Sequence, residues 1–432
     1  MEAAVKGGTL DSKTEVARRP GRPVIAYFAD VAPYPRPLYG GQIRVERLIR
    51  ELLREFDVAL ICQSSVSEDE LASNWELAAR LTRIVTAPRR RLSEDSYPEW
   101  GSLAASARAA LRIAIPGARP ASHDAVWSDE LVAKARQLFA EVQIDAVWAS
   151  RTWMAEIARQ AGARRIHVDV DDFEGRLMRE RVSRNAFYRR KALHWLQAAH
   201  LDRYERHLTR RFRSVSVCKP DDIACLARRR GSSVYVVPNG IDLPSDAGVE
   251  DRRSFRMIFV GALWYEPNAE ALRWFVNDVL PRIRDVVPEA SLIVAGRGPL
   301  SEDLPDLLSR PGIELHESPA TLDELYARAS LSVAPLLTGG GTSIKVLESL
   351  AHRVATVATP VAVRGLGLEP GRHIAVAAST AAFANACVEL LRMPQAAHEM
   401  GVAGRMEVAR RFTWEATGSA ARDAVRSLLR DS

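Results

Sequence analysis

The sequence predicts an α/β protein in which two doubly wound, largely parallel sheets face each other across a cleft. Three observations carry this reading. Short apolar runs alternate with helical patterns along most of the chain. The alternation stops once, at a polar stretch from Ser245 to Ser254, and then restarts. Each half contains a strand that runs through glycines into a helix, and such turns bind ligands at the carboxyl ends of parallel sheets.

The elements follow in order. Pro23-Val-Ile-Ala-Tyr-Phe28 reads as the first buried strand. A Pro-rich loop leads to Gly40-Gly41 and a helix with apolar Ile43, Leu48, Ile49, Leu52 and Leu53. Asp57-Val-Ala-Leu-Ile-Cys62 is the next strand, which completes a βαβ unit. Further strands are expected at Asp145–Ala149, Arg165–Val170, Ser214–Cys218 and Ser233–Pro244, the last stopping in a Pro-Asn-Gly turn, with helices over 131–142, 153–160 and much of 173–213. The second half offers strands at Arg256–Gly261, Ser291–Gly296, Gly312–Leu315, Leu331–Ala334 and Val354–Val357, with helices over 269–287, 322–329, 343–351 and from Ala381 onward. The expected division is a disordered tail over 1–22, domains over 23–235 and 236–408, and a closing helix over 409–432 that packs back toward the first domain.

Composition narrows the function. The 432 residues suffice for two domains, and 47% hydrophobic with 26% charged residues excludes a disordered, fibrous or disulfide-stapled chain. No stretch approaches the ~20 apolar residues of a membrane span. The net charge of +6 fits an anionic substrate or membrane surface without requiring either. The four cysteines lack metal-type spacing and read as reduced thiols of a cytoplasmic protein. Only six lysines stand among 54 arginines, and Lys345 alone follows Lys219, which marks it as a place for a compact point charge.

The strongest motif is Pro335-Leu-Leu-Thr-Gly-Gly-Gly-Thr-Ser-Ile-Lys-Val-Leu-Glu-Ser-Leu350. A strand passes through Gly339, Gly340 and Gly341 into a helix. The N–H groups of Gly341, Thr342 and Ser343 would lie unpaired at its start and form an anion cradle. Lys345 reaches the same anion, and Glu348 is placed to accept from ribose hydroxyls. The competing reading is a plain glycine turn with a helix-stabilising glutamate. The GxxxxGK[ST] order of a P-loop is absent. In the first half, His167-Val-Asp-Val-Asp-Asp172 ends a strand facing the cleft. Asp169 or Asp172 is a candidate acceptor base, and His167 a candidate to line the site. Alternatively these acids cap the next helix or pair with its arginines. A metal role for them is discounted.

These segments resemble, in order, the GT-B nucleotide-sugar glycosyltransferases of family 4, closest to the exopolysaccharide-associated branch. The matching runs are Gly40-Gly41, Val237-Pro-Asn-Gly-Ile-Asp242, Phe259-Val-Gly261, Pro267-Asn268, Ile293-Val-Ala-Gly-Arg-Gly298, Lys345–Glu348, Thr359-Pro360 with Gly365-Leu366, and Phe412-Thr-Trp-Glu415. The resemblance implies an acceptor domain followed by a donor domain. It implies that Glu348 binds ribose and that Gly40 and Gly41 close over the diphosphate. It places Gly261, Arg297, Gly340, Gly341, Thr342, Ser343 and Lys345 around the donor, with residues 316–320 near the base. The family's first Glu, eight residues before Glu348, is replaced by Gly340, and its Arg after Phe-Val-Gly is Ala262.

The expected activity is sugar transfer from a nucleoside diphosphate, a UDP-sugar being favoured, to a glycan, lipid-linked or small-molecule acceptor, with retention. No metal or other cofactor is expected. The alternatives are a sugar-nucleotide epimerase of the same fold and a non-catalytic binding protein. The stretch 173–213 holds twelve basic residues against Glu174, Glu180, Asp202 and Glu205. With its interleaved aromatics it is a candidate contact for an anionic membrane from the cytoplasmic side. No nucleic-acid signature accompanies it.

Overall fold

The structure, a computed structural model, describes residues 21–34, 40–88, 112, 115, 118–184, 191–245, 254–298, 300, 303–339 and 341–430. The tail expected over 1–22 lies almost wholly outside the described residues, as do Gly340 and most of the polar linker.

The first sheet has seven parallel strands in the order β3-β2-β1-β4-β5-β6-β7. These are β1 (Val24–Ala29), β2 (Asp57–Ser64), β3 (Arg83–Pro88), β4 (Ala146–Ser150), β5 (Ile166–Val170), β6 (Ser214–Val217) and β7 (Ser233–Val236). Every residue of β1, β2, β4 and β5 is buried, because helices cover both faces of the sheet. The covering helices include α1 (Gly40–Leu52), α2 (Asp129–Glu141), α3 (Thr152–Ala161), α4 (Glu174–Arg184) and α5 (Lys191–Arg206). The last two fall within the basic helical region expected over 173–213.

The second sheet has six parallel strands in the order β10-β9-β8-β11-β12-β13. They are β8 (Arg256–Val260), β9 (Ser291–Gly296), β10 (Ile313–Glu317), β11 (Leu331–Ala334), β12 (Thr356–Ala358) and β13 (Ala375–Val376). The helix expected over 269–287 is instead α6 (Glu266–Trp274), a π-helical stretch Phe275–Val279 and a short helix Leu280–Arg284. Pro281 explains the change. It has no N–H to donate and its ring crowds the carbonyl of residue 277, so the ladder widens in the preceding turn. Next come α7 (Ile344–Ala351), α8 (Thr380–Arg392), α9 (Pro394–Arg411) and α10 (Trp414–Arg430).

Helix α10 returns to the first sheet. Ala421, Ala424, Val425 and Leu428 join the core of β1, β2 and α1. Arg422 donates to Glu51 at 2.6 Å, and Arg426 to Glu55 at 2.6 Å. Gly418 is needed there, since a Cβ would lie 2.3 Å from Glu51 Oε2.

The order of each sheet reverses direction beside its first strand, between β1 and β4 and between β8 and β11. Crevices form at such switch points, at the carboxyl ends of the strands. Asp30, Arg151, Gly261 and the loop after β11 occupy these ends.

Candidate active site

Two helix N-termini meet across the cleft. A Cβ on Gly40, the first residue of α1, would lie 2.8 Å from Ile344 Cδ1, at the first residue of α7. Both helices direct unpaired N–H groups and the positive ends of their dipoles into one region. Thr342 Oγ1 and Ser343 Oγ are buried there without a hydrogen-bond partner among the described residues. Such groups are normally satisfied, so two hydroxyls are left open for hydrogen bonding at the start of α7.

Helix α7 then offers a cation and a carboxylate. Lys345 Nζ donates to Asn268 Oδ1 at 2.6 Å and lies 4.3 Å from the Phe259 ring centre. Burial lowers its pKa to about 7. Asn268 in turn donates to the Ala262 carbonyl at 2.9 Å. Gly261 makes room for this amide, because a Cβ would lie 2.7 Å from Asn268 Nδ2. Burial raises Glu348 to about 7, against the opposing effects of a bond from Tyr326 and the charge of Arg297. Tyr326 stacks on His352 with ring centres 4.2 Å apart, which fixes the phenol beside Glu348. Gly298, at φ 93°, lies against Trp264 and turns the chain directly after Arg297.

The first domain faces this loop with Asp172. Its Oδ1 and Oδ2 lie 3.1 and 3.2 Å from the position of a Cβ on Gly341. Asp172 Oδ1 has no hydrogen-bond partner among the described residues. Burial, and then the charge of Asp171, raises its pKa to about 6. Asp171 itself is held low. Burial alone would raise it, and Arg151 and Arg44 outweigh that.

The structure buries the other two catalytic candidates, although Asp169 also lines the small pocket that holds Gly41 and Asp171. His167 is fully buried within the sheet, with Nδ1 2.7 Å from Ser214 Oγ and Nε2 2.9 Å from Ser216 Oγ. It stacks on Trp148 at 4.1 Å, and burial lowers it to about 4. Alternation along β5 is the reason, since this face of the strand points into the core. Asp169 is buried and forms a two-pronged pair with Arg44 at 2.8 and 2.9 Å. Arg44 also donates to Val237, Pro238 and Asn239 at 2.8, 3.1 and 2.9 Å, which ties α1 to the segment between the domains. His167 and Asp169 therefore act through the fold. The reading of the acids as partners of arginines applies to Asp169, although its partner lies on α1.

Gly40, Gly341, Thr342, Ser343 and Asp172 thus converge, while Lys345, Gly261, Arg297 and Glu348 continue the site along α7. Gly41 lines a small pocket beside Asp171, and Gly340 lies outside the described residues. Sequence reasoning missed Arg44, Arg151 and Tyr326. Among the described residues no group of three or more His, Cys, Asp or Glu side chains is arranged to hold a metal ion.

Comparison with known proteins agrees with this architecture. Residues 254–393 match the family described as "Glycosyl transferases group 1". An uncharacterized 44.6 kDa protein of the cps region of Klebsiella pneumoniae is 28% identical over 141 residues, 31% of this chain. That match spans 36% of the relative's own length. Sucrose-phosphate synthase from Thermosynechococcus elongatus superposes with a TM-score of 0.66 at 15% identity, covering 95% of this chain and 100% of that one. Anabaena HepE, in complex with UDP and glucose, gives 0.60 at 14% identity over 94% and 100% of the two chains. A glycosyltransferase from Rickettsia africae gives 0.61 at 9% identity over 95% and 100%. The group 1 match falls within the second domain, and the superpositions show that the whole chain has the GT-B fold.

Proposed function

We propose that this protein transfers a sugar from a nucleoside diphosphate, a UDP-sugar in the first instance, to a hydroxyl of a glycan, lipid-linked or small-molecule acceptor. The observation that carries the reading is the cradle at the start of α7. Two buried hydroxyls without partners and two opposed helix N-termini surround space that Lys345 and Glu348 border. A diphosphate fits the cradle, and its ribose falls to Glu348. The group 1 match over this same domain supports the assignment, and the complex of HepE with UDP and glucose supports the choice of base.

In the proposed reaction the bond between the sugar C1 and the diphosphate oxygen breaks as the acceptor oxygen bonds to C1. The diphosphate leaves with the electron pair, and its growing charge is met by Lys345 and the amides of Gly341–Ser343. The acceptor's proton passes to Asp172. Retention at C1 rests on the resemblance to a mostly retaining family. No metal or further cofactor is needed in this scheme. The exposed Trp195 and Leu196 on α5, 38% and 53% accessible, support peripheral contact of the 173–213 region with an anionic membrane on its cytoplasmic side.

Calorimetric titration with UDP, and GDP in parallel, tests the donor site. Micromolar binding of one nucleotide is the expected result. Failure of both, and of TDP, would remove the reading. Proton NMR of the product of a UDP-sugar then reads the stereochemistry. Sugar isomerisation without nucleotide release would identify an epimerase instead.

A further inference from the structure

The run Pro267-Asn268 has no part in the reaction scheme, yet the fold sets it beside the cation of the donor site. Asn268 is the third residue of α6 and only 6% exposed. Its backbone N–H bonds the Tyr265 carbonyl at 2.8 Å, so the side chain leaves a fixed first turn. Its amide oxygen accepts from Lys345 Nζ at 2.6 Å, and its amide nitrogen donates to the Ala262 carbonyl at 2.9 Å.

The second bond fixes the direction of the first. A flipped amide would turn N–H groups toward an ammonium and an oxygen toward a carbonyl, and both contacts would repel. Gly261 makes the seat, because a Cβ there would stand 2.7 Å from Asn268 Nδ2 and 3.2 Å from Oδ1. The end of β8, α6 and α7 therefore meet at one amide.

Burial lowers Lys345 to about 7, and no charged side chain among the described residues offsets this. Glu348, three residues further along α7, is shifted by Asp323 and Arg297 and not by this lysine. The contacts of the ammonium are an amide oxygen and the face of Phe259, 4.3 Å from Nζ. Both are dipolar, and neither cancels its charge. An ammonium carries three N–H groups, so donors remain for a ligand after the one given to Asn268. A carboxylate in the same place would form an ion pair and commit the charge. An apolar side chain would leave the ammonium without an acceptor and favour the neutral amine. The amide does neither.

We propose that Asn268 is a positioning residue of the donor site, a neutral acceptor that aims Lys345 and leaves its charge for the diphosphate of the sugar donor. The proposal rests on the glycosyl-transfer reading for its ligand, but its first readout needs no nucleotide.

Carbon-13 NMR of the full chain with labelled lysine supplies that readout. Six lysines are few enough to resolve, and Lys345→Met identifies the signal. Asn268→Asp is expected to move the titration of Lys345 upward by at least about 2 pH units, and Asn268→Leu to move it downward by about 1. Loss of fold moves it only upward, toward the ordinary value for a lysine, so opposite movements cannot come from damage. Calorimetry with UDP gives the second readout. Asn268→Asp should weaken binding about tenfold or more at pH 7, because its carboxylate competes with the diphosphate for the ammonium. Asn268→Leu should weaken it less than about threefold at pH 6 and about tenfold at pH 8.5, because the unprotonated fraction of Lys345 grows over that range. A loss equal at the two pH values, the same direction of movement or no movement in both variants, or unchanged UDP affinity in Asn268→Asp overturns the proposal. UDP binding without the opposite movements sinks this proposal alone, and the movements without UDP binding in the wild type sink only the donor site.

Discussion

Asp172 of the first domain lies against Gly341 of the second, with its carboxylate 3.1 Å from where a Cβ on that glycine would stand. The proposed base and the proposed diphosphate cradle therefore share one contact. Gly341→Ala would push one of them aside by a few tenths of an ångström. The expected result is a fall in turnover of about tenfold or more with little change in UDP affinity, because chemistry is more sensitive than binding to such displacement. Steady-state kinetics beside calorimetry checks this, and parallel losses in both would contradict it.

The same carboxylate sets an expected pH profile. Asp172 titrates at about 6 and must be ionised to take a proton. With the UDP-sugar saturating, acceptor kcat/KM should rise as pH passes upward through about 6. Asp171→Asn removes a neighbouring negative charge that raises Asp172, so the rise should move to lower pH. Arg151→Gln removes a positive charge that lowers it, so the rise should move to higher pH. Shifts in the opposite directions would exclude Asp172 as the group responsible.

Asp169 and Asp172 should also separate by stability. Asp169→Asn leaves Arg44 buried without its anion, at a cost of about 3–5 kcal/mol. Asp172 is raised from an ordinary 3.8 to about 6, so its ionisation opposes folding. That penalty is absent below the ordinary value and complete above about 6. Asp172→Asn should therefore stabilise the protein at pH 8 by about 2–3 kcal/mol and have little effect near pH 4. Urea unfolding at the two pH values measures both.

Glu348→Ala should weaken UDP binding while the fold survives. The lost bonds are from ribose hydroxyls to a charged group, worth about 1.5–3 kcal/mol. Tyr326→Phe should have a smaller effect in the same direction, since the phenol holds Glu348 in place. Unchanged calorimetric affinity in Glu348→Ala would contradict the assignment to ribose.

Much of the architecture is legible in the sequence because buried parallel strands are short apolar runs that glycine and proline interrupt. β1, β5 and β9 are examples, and the loop before α7 stands out by its three glycines. What was not legible depends on long-range pairing or on backbone angles. His167 and Asp169 read as cleft-facing candidates at the end of β5, yet Ser214, Ser216 and Arg44 that bury them are 47, 47 and 125 residues away. Arg151 is one arginine among many, and nothing in its neighbours announces a positive φ. Its place directly after the apolar strand Ala146–Ser150, at a sheet's carboxyl end, was the available signal.

The two titrating groups on α7 give the last expectation. Lys345 and Glu348 both titrate at about 7 in the free protein, each displaced by burial. A bound diphosphate favours charged Lys345, so its pKa rises on binding and the complex takes up a proton at pH 8. Bound ribose hydroxyls favour ionised Glu348, so its pKa falls and the complex releases a proton at pH 6. The wild-type protein should therefore bind UDP with net proton uptake at pH 8 relative to Lys345→Met, and with greater proton release at pH 6 than Glu348→Gln. Calorimetry in buffers of different ionisation enthalpy reads both numbers. UDP ionises identically in every titration, so the differences between variants report the protein groups alone. Equal proton counts in wild type and Lys345→Met at pH 8 would place the diphosphate away from this lysine, whereas an uptake confined to the wild type would tie the anion to the start of α7.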